Sequence, residues 1–236
     1  MHYWNQENFE GLEAIAQRAV VYPQLRRFAE YCRLRVVGRR KPALAALRTF
    51  ISEATHRPLV ERQQITRWLL EVQLESSNVH QLLPYPLREE LLKPTIVEWL
   101  RFFPSDAEPH RLHGYLFGDL SSYRRAIEID GEDSLSRRFL ITQLMGAIDY
   151  STHHLSEGIF LGRTDEIIFS LEEVAANLAR LAPDERRDRL SAWFEEQRQM
   201  VTDWIEYQST PEGSFVEWLI GRGRDYRWPK TYYYDE

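Results

Sequence analysis

Cysteine is nearly absent from this chain of 236 residues, where Cys32 stands alone. A single cysteine excludes an intrachain disulfide and any cysteine metal cluster. Leu25 and Ala29 share a helical face with it, so Cys32 reads as a packed thiol. A nucleophilic thiol needs an activating base, and nothing in the spacing supplies one. Long hydrophobic runs are also missing: no stretch approaches the eighteen apolar residues of a membrane span. The opening segment Met1–Glu7 has no basic region followed by an apolar run, so no secretion signal is expected. The reducing cytoplasm is the default location. Strand signals are missing too, with no sustained alternation and no Asn-Gly pair between β-branched runs. No GxSxG, P-loop, GxGxxG or HExxH motif occurs.

Aromatic residues, by contrast, are abundant. Seven Trp, twelve Tyr and eleven Phe, with a hydrophobic share of 43%, exceed what a disordered chain carries. The net charge of −6 argues against whole-chain affinity for nucleic acid or an anionic membrane.

Helical periodicity runs almost end to end. Phe9, Leu12, Ile15, Ala16 and Ala19 place one face on a first helix over about Glu7–Val21. Pro23 restarts the chain, and Leu25, Phe28, Ala29, Cys32 and Val36 share a face up to Gly38. Pro42 opens a helix with Leu44, Leu47, Phe50 and Ile51 inward. Val60, Ile65, Trp68, Leu69 and Val72 mark the next. Pro84, Pro86, Pro94, Pro104 and Pro109 then punctuate the chain. Short helices are expected at Leu87–Leu92 and Thr95–Phe103. Further helices follow at about 111–117, 121–129, 134–157, 164–181, 184–207 and 214–221. The expected organisation is one all-helical domain over 1–236. A proline-rich but packed connector at 77–109 joins its two halves.

Three stretches carry a repeat signal. Gly38 and Ala43 are five apart, after Tyr31 and Leu34. Gly162 and Ile167 have the same spacing, after Leu155 and Gly158. The third is the tail Tyr123-Arg124-Arg125-Ala126-Ile127-Glu128-Ile129-Asp130, which Gly131 follows where proline is typical. On these residues the chain resembles a degenerate tetratricopeptide-like helical-repeat protein over about two thirds of its length. The resemblance implies an all-α fold of stacked antiparallel helical hairpins, a tetratricopeptide-like solenoid or irregular superhelix. It also implies a groove lined by the first helix of each hairpin, with Tyr31, Arg35, His113, His154 and Gly158 near it. The alternative is an irregular helical bundle in which the glycines are ordinary helix stops.

Charge is distributed unevenly. Arg26, Arg27, Arg33, Arg35, Arg39, Arg40, Lys41 and Arg48 face only Glu30 within their window, a local charge of +7 that leaves −13 for the rest. Such asymmetry points to an acidic partner. Arg35, Arg39, Arg40 and Lys41, with Tyr31, are the partner-binding candidates. Aromatic interleaving is confined to Phe28 and Tyr31, so nucleic acid is not the expected partner. Gly221–Trp228 combines arginine and tryptophan and reads as a tail folded back on the body, with Tyr232, Tyr233 and Tyr234, because its aromatics are costly to leave in water.

Histidine and carboxylate spacing supplies the one metal hypothesis. Asp149 and His153 are four apart and His110 and His113 three apart, so each pair shares a helix face. Against this, no 2-His-1-carboxylate spacing is present, and adjacent His153 and His154 diverge by about 100° on a helix. Trp68, Trp99, Trp193, Trp204 and Trp218 at helical spacing read as core. No cofactor is expected. The function that follows is non-enzymatic protein recognition by an adaptor. One alternative is a cytoplasmic inhibitor of the immunity type that sequesters a toxin. The other is a metal-dependent enzyme built on the His/Asp cluster.

Overall fold

The computed structural model describes residues 6–76, 78–226 and 228, and throughout them regular structure is helical, with no strand. The chain packs as two compact units that meet at Ile129/Asp130. The proline-rich segment 77–109 therefore lies inside the first unit, and the division falls twenty residues after it.

In the first unit, α1 (Gln6–Ala19) buries the stripe Leu12, Ile15, Ala16 and Ala19. A 3-10 turn at Pro23–Leu25 leads into α2 (Arg26–Val36). Gly38, at φ +73°, stops α2 in the left-handed region that glycine adopts without steric cost. The chain then folds back as α3 (Arg40–Thr55), which packs on α2. Ala43, five residues past Gly38, is fully buried. Phe28 of α2 meets Phe50 of α3 at 5.4 Å between ring centroids. Trp68 of α4 (Leu59–Glu75) stands edge-on to Phe28 at 6.2 Å. Cys32 is buried in this core, and burial raises its thiol pKa.

The chain next forms α5 (Tyr85–Leu87), a π-helical turn at Arg88–Leu92, and α6 (Lys93–Phe102) without a break. Two separate short helices are what the prolines lead one to expect. The π turn removes that need. Pro94 has no N–H to give, and its ring would strike the carbonyl four residues back in a regular helix. A widened turn just before it accommodates both. Trp99 of α6 donates its indole N–H to Asp106 at 3.1 Å. Asp106 also caps α7 (Ala107–Phe117) by accepting from the Glu108 amide. Arg67 of α4 makes a two-pronged pair with Glu108, both bonds at 2.6 Å, and lies 4.6 Å from the Trp99 ring centroid. These contacts tie α4, α6 and α7 together. Gly118, at φ +68°, ends α7, and α8 (Leu120–Ile129) packs against it.

In the second unit, Asp133 caps α9 (Ser134–Thr152) through the Ser136 amide and hydroxyl. α9 ends at Thr152, and a 3-10 turn at Leu155–Glu157 follows, which shortens the helix expected to reach Glu157. α10 (Thr164–Leu178) and α11 (Glu185–Ser209) pack on α9 and on each other. α12 (Phe215–Gly221) starts from a reciprocal capping box between Ser214 and Glu217. Trp204 and Trp218 are buried in an aromatic cluster with Leu155, Met200, Phe215 and Leu219. Tyr226 and Trp228 pack onto that cluster, so the tail folds back as far as Trp228. Tyr232, Tyr233 and Tyr234 lie outside the described residues. Among the described residues no helix is long and apolar enough to cross a membrane.

Candidate functional site

Two residues of α2 set the floor of a cleft in the first unit. Tyr31 and Arg35 are four apart and therefore share a helix face. Tyr31 is 1% exposed, and its hydroxyl donates to the Gln81 carbonyl at 2.6 Å. Arg35 donates from Nε to the Gln81 side-chain oxygen at 2.9 Å. Gln81, in the loop before α5, thus fixes both side chains. Burial raises the Tyr31 phenol pKa, so it remains an O–H donor at neutral pH.

Arg40 and Leu44 of α3, His80 and Gln81 of the loop, and Pro84 and Pro86 complete the cleft, which encloses about 630 Å³. Its wall is aliphatic at Leu44 and the two prolines, and its rim is cationic. Among the described residues no carboxylate lines it. Arg40 is exposed at the rim, and its chain neighbours Arg39 and Lys41 are exposed as well. Among the described residues, Arg35, Arg39, Arg40 and Lys41 make no ion pair. The last three also stand at the start of α3, whose first turn holds no acidic residue. A helix start carries partial positive charge, and each cation placed there costs about 0.3–1 kcal/mol. The arrangement is thus a concentration of positive charge without internal relief.

The sequence-derived candidates Tyr31, Arg35 and Arg40 are brought together here, with Arg39 and Lys41 beside them in the chain. His80, Gln81, Pro84 and Pro86 were not singled out from sequence as site residues. The partners of Gln81, Tyr31 and Arg35, are 50 and 46 positions away, beyond the reach of any periodicity.

The metal candidates have separate local partners. His110 places Nε2 3.1 Å from the Pro104 carbonyl. His113 lies 2.9 Å from the Ser122 hydroxyl and 3.5 Å from Asp119. Desolvation lowers the His113 pKa, with Asp119 opposing. His154 contacts Glu157 at 3.0 Å, and Gly158 ends that turn at φ +75°. Asp149 and His153 do share one small cavity in the second unit. Among the described residues, no group of three His, Cys, Asp or Glu side chains is placed to hold a metal.

No known protein-family model matches the chain, and neither does any curated protein or solved structure.

Proposed function

We propose that the protein is a non-enzymatic recognition module that binds an acidic, partly aliphatic protein segment in the α2–α3 cleft. The observation that carries this reading is that Arg35 and Arg40 line the cleft beside an aliphatic wall, with exposed Arg39 and Lys41 next to Arg40 in the chain, and that among the described residues none of the four makes an ion pair. An acidic side chain at the rim relieves both the crowding of like charges and their opposition to the α3 dipole. Leu44, Pro84 and Pro86 offer an aliphatic neighbour a dry surface. Among the described residues lining the cleft there is no carboxylate, and the Tyr31 hydroxyl already donates to the Gln81 carbonyl, which favours binding over catalysis. Of the two ring side chains among the described lining residues, Tyr31 and His80, Tyr31 is buried with its hydroxyl engaged, which leaves little stacking surface for bases. A reducing, cytoplasmic setting belongs to the same reading.

The test is a selection of random displayed peptides on the wild-type chain, counter-selected on an Arg35→Glu/Arg40→Glu variant. The expected outcome is enrichment of Asp or Glu beside an aliphatic residue, with affinity that falls as salt rises. A selection that enriches the same peptides on both proteins refutes it.

A further inference from the structure

The cavity shared by Asp149 and His153 is built from α9, α11 and the folded-back tail. It encloses about 180 Å³, and Trp193 and Glu196 of α11 line it with Trp228 of the tail. Gln197, 5% exposed, donates its amide to Asp149 at 3.2 Å and accepts from the Thr152 hydroxyl at 2.8 Å. Asp149 is thereby held in place by a buried neighbour. Trp228 is held as well. The Tyr226 hydroxyl donates to Asp203, and Arg224 Nε lies 3.4 Å from the same carboxylate. Trp228 itself packs edge-on to Phe215 at 6.4 Å. Among the described residues no ion pair engages Asp149 or Glu196. Among the described residues His153, whose Nδ1 lies 2.5 Å from the Tyr150 carbonyl, is the one basic group lining the cavity.

Two carboxylates that make no ion pair among the described residues, beside two indoles, form a recognisable chemistry. Indole faces carry negative potential and attract a cation placed over them. We propose that this cavity binds a methylated ammonium head group. A metal ion does not suit it, because among the described residues no three ligands converge. A primary ammonium or guanidinium finds acceptors on the two carboxylates, but an ammonium is compact and strongly hydrated, and indole faces do not replace the water it gives up. A trimethylammonium group has no donors to satisfy and presents methyl groups to the two indoles. The head group has two sources, a free small molecule such as choline or a trimethylated lysine in a peptide.

The test uses the full chain. Choline, its neutral isostere 3,3-dimethylbutan-1-ol and a trimethyllysine peptide are titrated while the indole N–H resonances are followed by NMR. Choline is expected to shift the Trp193 and Trp228 signals and the isostere is not. Asp149→Asn, Glu196→Gln and Trp193→Leu are each expected to weaken choline binding by about tenfold. Glu196 is exposed, so its variant keeps the test valid if Trp193→Leu fails to fold. The tighter of choline and the peptide identifies the source. Absence of any indole shift with both cations, an equal response to the isostere, or unchanged affinity in Asp149→Asn and Glu196→Gln overturns the proposal. The Arg35→Glu/Arg40→Glu variant retains choline binding, so the two sites fail independently.

Discussion

Replacing Gly114 with alanine sets two effects of known size against each other. Gly114 is buried in the middle of α7, where alanine is favoured over glycine by about 0.5–1 kcal/mol. Yet a Cβ there would sit 2.8 Å from Tyr123 Cδ1 and Cε1 and 3.0 Å from Cγ. Carbon atoms in contact prefer about 3.5–4.0 Å. The obstacle is the body of a ring that is itself 1% exposed, so it has no free space into which to swing. Overpacking of this kind costs about 1–3 kcal/mol. The clash therefore outweighs the propensity, and Gly114→Ala is expected to destabilise the first unit by about 1 kcal/mol. Urea unfolding followed by circular dichroism measures this directly. In a Tyr123→Leu background the ring is gone, and the same substitution is expected to be neutral or to stabilise by about 0.5–1 kcal/mol. The double-mutant cycle should show a coupling of about 1–2 kcal/mol. If Gly114→Ala stabilises the wild-type protein, the close approach of α7 to α8 is not what selects glycine.

Burial raises the phenol pKa values of Tyr31, Tyr123 and Tyr226 above the ordinary 10.0. A raised folded-state pKa gives stability that is complete below pH 10 and is lost as pH climbs toward the folded value. Phenolate absorbance of these three tyrosines is therefore expected to appear together with the loss of helical signal, and Tyr31→Phe should remove one part of that late phase. A titration finished before helicity falls contradicts this. Gly38→Ala meets nothing within 4 Å, so its cost is the left-handed backbone alone. That cost is about 1 kcal/mol, a fall in Tm of about 2–4 °C. An unchanged Tm refutes the strain argument.

Much of the helical order was legible because apolar residues recur at three and four. The stripes Leu12–Ala19 and Leu25–Cys32 are buried as their spacing predicts. The Pro94 region was misread because a π turn leaves no signature in periodicity, only a proline in an impossible place. The Trp positions divided for a similar reason. Trp99, Trp204 and Trp218 are buried, whereas Trp68 and Trp193 are only half-buried, and helical spacing does not separate a core face from a cavity wall. At the cleft, the charges were legible because they crowd into one window. The glutamine that orients two of the residues and the prolines that wall it were not, because loop 78–84 reaches them only through tertiary packing.

The lone cysteine has a practical consequence. Cys32 is fully buried and its thiol is held protonated, so in the folded protein it is shielded from alkylating reagents. The folded chain thus serves as a thiol-silent background without any substitution. A cysteine introduced at exposed Arg40, which lines the α2–α3 cleft, would be the sole reactive thiol, and a dye or spin label attached there would report from that cleft alone.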